Sequence, residues 1–214
     1  MRNNTKKLVL LAMLAAMAFV LVALIRIPVV LFLSYEPKDV IITIGGFLLG
    51  PLASFVISLV VSLIEMVSIS DTGIIGAVMN LLSTCAFACT AAYVYKKKHT
   101  LAGAIWGLVL GTAAMIGIML LWNYLITPMY MGVERSAVAG MLIPVFLPFN
   151  ALKAGFNSAL ILGLYKPVVA ALRKTGLVES TQKKAGGSKI GIYLLSAVLL
   201  ASCVLLLLVL RGIL

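Results

Sequence analysis

SYEPKDVIITIGGFLLGP, residues 34–51, decides the fold of this chain. It sets Glu36, Lys38 and Asp39 at the head of an apolar run that stops at Gly50-Pro51. About a dozen residues of helix reach only about 18 Å, whereas the hydrocarbon core of a bilayer is roughly 30 Å thick. The run is therefore either the first part of one helix that continues to about residue 69, kinked at Pro51, or one arm of a turn between two antiparallel segments.

The rest of the chain shows why a bilayer is the reference. Of 214 residues, 63% are hydrophobic and 11% charged, with a mean hydropathy of +1.19, outside the range of soluble domains. Apolar runs occupy 8–25, 39–50, 52–69, 74–95, 101–126, 150–171 and 190–210. None alternates polar with apolar residues, so the spans are expected to be helices and the protein an all-α integral membrane protein. The first run is too long for the apolar core of a signal peptide and leads into Arg26-Ile27-Pro28, so it is expected to be a span. The net charge of +11 does not point to nucleic acid, because Lys and Arg form short clusters beside apolar runs, as an anionic leaflet and the positive-inside rule require.

Charge parity chooses between the two readings of Pro51. Arg2, Lys6 and Lys7 mark one cytoplasmic end and Lys96-Lys97-Lys98 another, so an even number of crossings must separate them. One helix over 39–69 gives three crossings, and two helices give four. With four, twelve of the seventeen basic residues fall inside, while Glu36, Asp39, Glu65, Asp71 and Glu134 fall outside and only Glu179 inside. Gly50-Pro51 is then a cytoplasmic turn, and residues 39–50 form a half-length helix that begins below the outer surface. Irregular backbone at that depth needs a covering of protein or a cavity, which implies an outward pocket capped by residues 29–38. Residues 127–149 read as a long external connection, and 175–189 as a polar cytoplasmic linker to a leucine-rich last span. The domain reading is a membrane domain over 1–175, a linker over 176–189 and an additional transmembrane helix over 190–211, with the N-terminus cytoplasmic and the C-terminus outside.

Small residues recur every four positions at Ala12 and Ala16, at Ser54, Ser58 and Ser62, and at Gly103, Gly107 and Gly111. Each set makes a flat helix face for close packing. Polar side chains within spans point to function, and Glu65, Asn80, Asn123, Asn150, Lys153 and Asn157 converge towards the outer ends of their helices, with deeper placements open for Asn80 and Asn157. Asn150, Lys153 and Asn157 share one face at i, i+3 and i+7. With Tyr124 and Tyr130 nearby, they offer partners to a ligand rich in hydroxyls or ring heteroatoms. The plainer reading gives the amides to neighbouring helices and takes the Lys153 head group out to the lipid surface. Glu65 reads as a solvated or paired cap and Asp71 as turn chemistry. Cys85, Cys89 and Cys203 read as packing residues. No phosphate-loop, zinc-protease or nucleophile-elbow motif is present, and no carboxylate cluster suits a metal. The chain does not read as an enzyme and carries no cofactor signature, so uphill transport needs a gradient or a partner.

Four stretches, PKDVIITIGGFLLGP at 37–51, GAVMN at 76–80, NYLITPMY at 123–130 and LPFNALKAGFNS at 147–158, together resemble the substrate-binding S components of energy-coupling-factor vitamin transporters, above all the riboflavin-specific ones. The resemblance covers about residues 5–175. It implies a six-helix module that captures riboflavin from outside and works with a transmembrane coupling subunit and two cytoplasmic ATPases. It also implies that Asn123, Asn150 and Lys153 bind the flavin, with Asn80 and the stretch Tyr35 to Asp39, including Glu36 and Lys38, in support. Ala12 and Ala16 look like the family's docking surface for the coupling subunit. The run at 190–210 is a seventh helix that the six-helix pattern lacks. The alternatives are an S component for another vitamin or precursor, or a gradient-driven transporter centred on Glu65 or Lys153.

Overall fold

A computed structural model describes residues 2–70, 72–174 and 189–210. The chain opens with α1 (Arg2–Leu24), followed by a hairpin of β1 (Ile27–Val30) and β2 (Leu33–Tyr35). Then come α2 (Lys38–Leu49) and α3 (Pro51–Ser68). The next span joins α4 (Gly73–Thr84) to α5 (Thr90–Lys98) through a π turn at Cys85–Cys89. After α6 (Leu101–Leu125) and the short α7 (Thr127–Met131), α8 (Arg135–Met141) runs through a second π turn, Leu142–Phe146, into α9 (Leu147–Lys174). The last element is α10 (Lys189–Leu210). Among the described residues, six helical stretches are long and apolar enough to cross a membrane. Helix α2, with 12 residues, is the half-length addition.

The turn that parity demands is present. Helix α2 ends at Gly50, whose φ of 98° lies in the region that favours glycine. Pro51 occupies the first position of α3, where a missing N–H costs nothing. The two helices run back along each other: Ser54 Oγ donates to the Ile42 carbonyl at 3.2 Å, and farther along Lys38 pairs with Glu65. Gly50 also lies beside Lys96, because a Cβ built on it would be 3.8 Å from Lys96 Cδ. The same end holds Phe47 stacked on Tyr95, with ring centroids 4.5 Å apart, and Tyr95 hydrogen-bonded to Tyr165 near the end of α9. The basic clusters and the Gly50 turn therefore share one end of the bundle, and the hairpin occupies the other.

Small-residue faces carry the packing between helices. Ser54, Ser58 and Ser62 are all buried. A Cβ on Gly107 would lie 2.7 Å from the Ala91 carbonyl oxygen, and one on Gly111 2.5 Å from that of Phe87. Helix α6 thus rests almost backbone to backbone on the span before it. By contrast, Ala12 and Ala16 are exposed on α1.

Two features depart from the sequence reading. The cap before α2 is a β-hairpin, turning through Leu31 at φ 51°. The stretch 127–149 is mostly helical, and Arg135–Val168 forms one spanning unit. Its prolines sit where helices tolerate them: Pro128 in the first turn of α7, Pro144 inside the π turn and Pro148 in the first turn of α9. The linker expected at 176–189 falls almost wholly outside the described residues, as does Asp71.

Gly111→Val is expected to destabilise the bundle by about 1–3 kcal/mol, since the branched side chain forces α6 away from the Phe87 carbonyl. The measurement is the thermal unfolding midpoint in detergent. Gly117→Ala on the same helix, with nothing within 4 Å of its added Cβ, should leave that midpoint unchanged or raise it.

Candidate binding cleft

At the hairpin end, the hairpin, α4, α6 and α9 surround a cleft whose empty space, counted out to its open mouth, is about 550 Å3. The apolar side chains of its wall are Phe32 and Leu33 from the hairpin, Met79 from α4, Met119 from α6 and Phe149 from α9. Beside them stand the polar side chains Asn80, Asn123, Asn150 and Lys153, with Arg26 and Glu36 at the hairpin.

The amides are fixed in place by their own helices. Asn123 donates through Nδ2 to the Met119 carbonyl at 2.6 Å and accepts through Oδ1 from Thr127 Oγ1 at 2.8 Å. Asn150 donates to the Phe146 carbonyl at 2.7 Å, at the end of the second π turn. That bond leaves the Asn150 amide oxygen as an acceptor for a ligand.

In the wall of the cleft and beneath it lies a network of charges, buried except at Arg26. Lys38 is 1% exposed; its Nζ donates to Glu65 Oε1 at 2.7 Å and lies 2.8 Å from Glu36 Oε2. Glu65 also accepts from Asn80 Nδ2 at 3.3 Å. Arg26 Nε is 3.2 Å from Glu36 Oε1, and its guanidinium donates to the Ile69 carbonyl. Burial alone would push the Glu36 carboxyl up, but Lys38, Lys153 and Arg26 hold it below its usual range. Asp39, fully buried in the first turn of α2, accepts from Thr84 at 2.6 Å and from Asn157 at 3.2 Å, and lies 3.5 Å from Lys153 Nζ. Tyr35 donates to Asn157 Oδ1 at 3.1 Å and so ties the hairpin to the same set. Three cations, Arg26, Lys38 and Lys153, face three carboxylates, Glu36, Asp39 and Glu65.

The expected site residues therefore separate into groups. Asn80, Asn123, Asn150, Lys153 and Glu36 line the cleft. Lys38, Asp39 and Asn157 lie in the network below it, where they position other groups. Tyr130 lines a neighbouring apolar groove together with Trp122 and Ile75, and its ring meets Phe32 edge to face at 5.3 Å. Tyr124 is turned away, with Arg135 above its ring at 5.5 Å. Lys153 does not reach to the surface but is 4% exposed. Glu65 is a paired carboxylate, as one of the two sequence readings had it. The sequence reading had Phe32 and Leu33 within the pocket cap 29–38, but it missed Ser83, Met119 and Phe149 in the cleft wall and Thr84 on Asp39. The apolar ones look like any other span residue. Arg26 carried a signal, a cation directly after a span, that was counted only as charge.

Comparison with known proteins agrees with this architecture. A family model described as the substrate-specific component of ECF transporters matches residues 6–165. The riboflavin transporter RibU of Staphylococcus aureus (strain TCH60) is 28% identical over 182 residues, covering 80% of this chain and 95% of the relative. The riboflavin transporter FmnP of Bacillus subtilis (strain 168) is 32% identical over 162 residues, covering 70% of this chain and 85% of the relative. A solved structure of the S component of a bacterial ECF transporter superposes with a TM-score of 0.68 at 28% identity, covering 79% of this chain and 99% of that one.

Lys38→Met should cost about 3–5 kcal/mol, because it leaves two buried carboxylates facing each other without their cation. Adding Glu65→Gln should recover part of that loss. Thermal unfolding of the single and double variants checks this; a single variant as stable as the parent would show the ion pairs to be idle.

Proposed function

The chain belongs to the substrate-specific components of ECF transporters, and from that premise we propose that it is the riboflavin-binding subunit of such an importer. It captures the vitamin from outside for uptake driven by partner ATPases. The observation that carries this reading is the mixed lining of the cleft, in which α4, α6 and α9 each bring an apolar and a polar side chain. A flat isoalloxazine ring suits the apolar side chains Phe32, Leu33, Met79, Met119 and Phe149, and a ribityl chain suits the amides and Lys153. The balance of three cations and three carboxylates favours a ligand without net charge, since a charged one would leave a buried imbalance. Two relatives named as riboflavin transporters support the same ligand.

Asn123, Asn150 and Lys153 are the direct contacts, and Asn80 and Glu36 support them from the same wall. Lys38, Asp39 and Asn157 act from beneath, and Tyr130 shapes the mouth through Phe32. The mouth faces outside, because the opposite end carries Lys96, Lys97 and Lys98 with the Gly50 turn, which the positive-inside rule assigns to the cytoplasm. On that orientation the N-terminus is cytoplasmic and the C-terminus outside. Residues 1–175 form the binding module, 176–189 a cytoplasmic linker and 190–211 an additional span. Ala12 and Ala16, small and exposed on α1, offer a transmembrane coupling subunit a close approach, and that subunit links the module to two cytoplasmic ATPases. The remaining apolar exterior is surface for membrane lipid. The chain itself carries no reaction.

Purified protein is expected to quench riboflavin fluorescence on titration, and a preparation with no flavin absorbance and no quenching would sink the reading. Lys153→Ala and Asn150→Ala should each weaken binding at least tenfold, which is about 1.4 kcal/mol or more. Replacing Ala12 and Ala16 with leucine should abolish uptake in cells while leaving binding in detergent intact; loss of both would instead indicate internal packing.

A further inference from the structure

Helix α10 lies beyond the residues 6–165 that the family model matches, yet it is not a loose appendage. Helix α9 carries Gly155, Ala159 and Gly163 four residues apart, a flat strip distinct from the positions Phe149, Asn150 and Lys153 that line the cleft. Helix α10 fills that strip, running antiparallel to α9. Ser196 Oγ donates to the Ala159 carbonyl at 2.7 Å, and a Cβ on Gly163 would lie 3.1 Å from the same hydroxyl oxygen. Two turns farther along, a Cβ on Gly155 would lie 2.6 Å from the Sγ of Cys203, which is itself buried. Such an approach needs small residues on one helix and compact ones on the other.

The far end of α10 reaches the hairpin. Leu207 packs on the apolar cluster of Val29, Leu33, Tyr35, Val138, Phe146 and Phe149. Leu33 and Phe149 from that cluster line the cleft. Tyr35 connects through Asn157 to Asp39, which lies against Lys153. One helix therefore holds both the hairpin at the mouth and α9, which supplies Asn150 and Lys153. A two-stranded hairpin is marginal without a surface to pack on, and α10 supplies part of that surface.

We propose that α10 is a positioning helix for the cleft, in which Leu207 and Cys203 hold the hairpin against α9 and thereby slow the escape of a bound small molecule. Neither residue lines the cleft, and their effect on the ligand runs through Leu33, Phe149 and the Tyr35 hydroxyl. The proposal rests on the riboflavin reading only for its choice of probe.

The test uses the full chain with Leu207→Ala, which removes the hairpin contact, and separately with Gly155→Leu, which displaces α10 at Cys203. Hydrogen exchange is measured without ligand over residues 27–35 and, as an internal control, over α2 and α3. Riboflavin release is followed by fluorescence recovery on dilution. Expected results are exchange in the hairpin at least tenfold faster with α2 and α3 unchanged, and release at least fivefold faster with an unaltered association rate. Should Gly155→Leu fail to fold, Leu207→Ala alone decides. Hairpin exchange within twofold of the parent in Leu207→Ala would overturn the proposal. If the parent binds no riboflavin, the ligand reading falls and hydrogen exchange still decides the role of α10.

Discussion

A buried ammonium at the head of a half-length helix is the constraint on which the rest of this bundle depends. Lys38 stands in the first turn of α2, where the positive end of the helix dipole offers it no help. Its two carboxylate partners come from different elements, Glu36 from the segment after the hairpin and Glu65 from the far end of α3. Satisfying one cation therefore fixes three things together: where the hairpin ends, how far α2 sinks, and how α3 aligns against it. Asn80 extends the set to α4, and Asp39, one residue on, extends it to Thr84, Asn157 and Lys153. A carboxylate without its cation would cost several kcal/mol at this depth, so alternatives in which one element slides are disfavoured as a group.

Close helix packing supplies what the ion pairs do not. Within a bilayer no hydrophobic force draws helices together, since lipid tails are as apolar as leucine. Gly107 and Gly111 answer this by bringing α6 onto backbone carbonyls, and Ser54 spends its hydroxyl on the α2 carbonyl of Ile42. The cleft opens where this packing gives way to larger residues, Met79, Met119 and Phe149 among them.

The topology was legible because it follows from counting: too few apolar residues before Pro51, and an odd number of crossings unless the chain turns there. The site was legible in part. Asn150 and Asn157 do share a helix face, but seven residues carry Asn157 about 10 Å farther along the axis, so it falls below the cleft and meets Asp39 instead. Tyr124 follows Asn123 and is rotated by about 100° from it, which aims it at Arg135 and away from the ligand wall. The hairpin was hidden because its turn contains no glycine, asparagine or proline to announce it; Leu31 takes the positive φ instead. The helical course of 127–149 was hidden for the opposite reason, since its prolines suggest a loop until each is found at a helix start or a π turn, with Gly132, φ 65°, as a cap and Gly140 carried inside α8. Met119 and Phe149 acquire a role only from their neighbours, which a single sequence does not display.

The equal numbers of cations and carboxylates around the cleft also have an electrical meaning. Moving one unmatched elementary charge through a membrane potential of 100 mV involves about 2.3 kcal/mol of work. Arg26, Lys38 and Lys153 are tied to Glu36, Asp39 and Glu65 and travel with them in any displacement of this part of the bundle. Such a displacement moves no net charge, and with an uncharged passenger it is blind to voltage. A binding module built this way leaves the direction of transport to whatever drives it chemically.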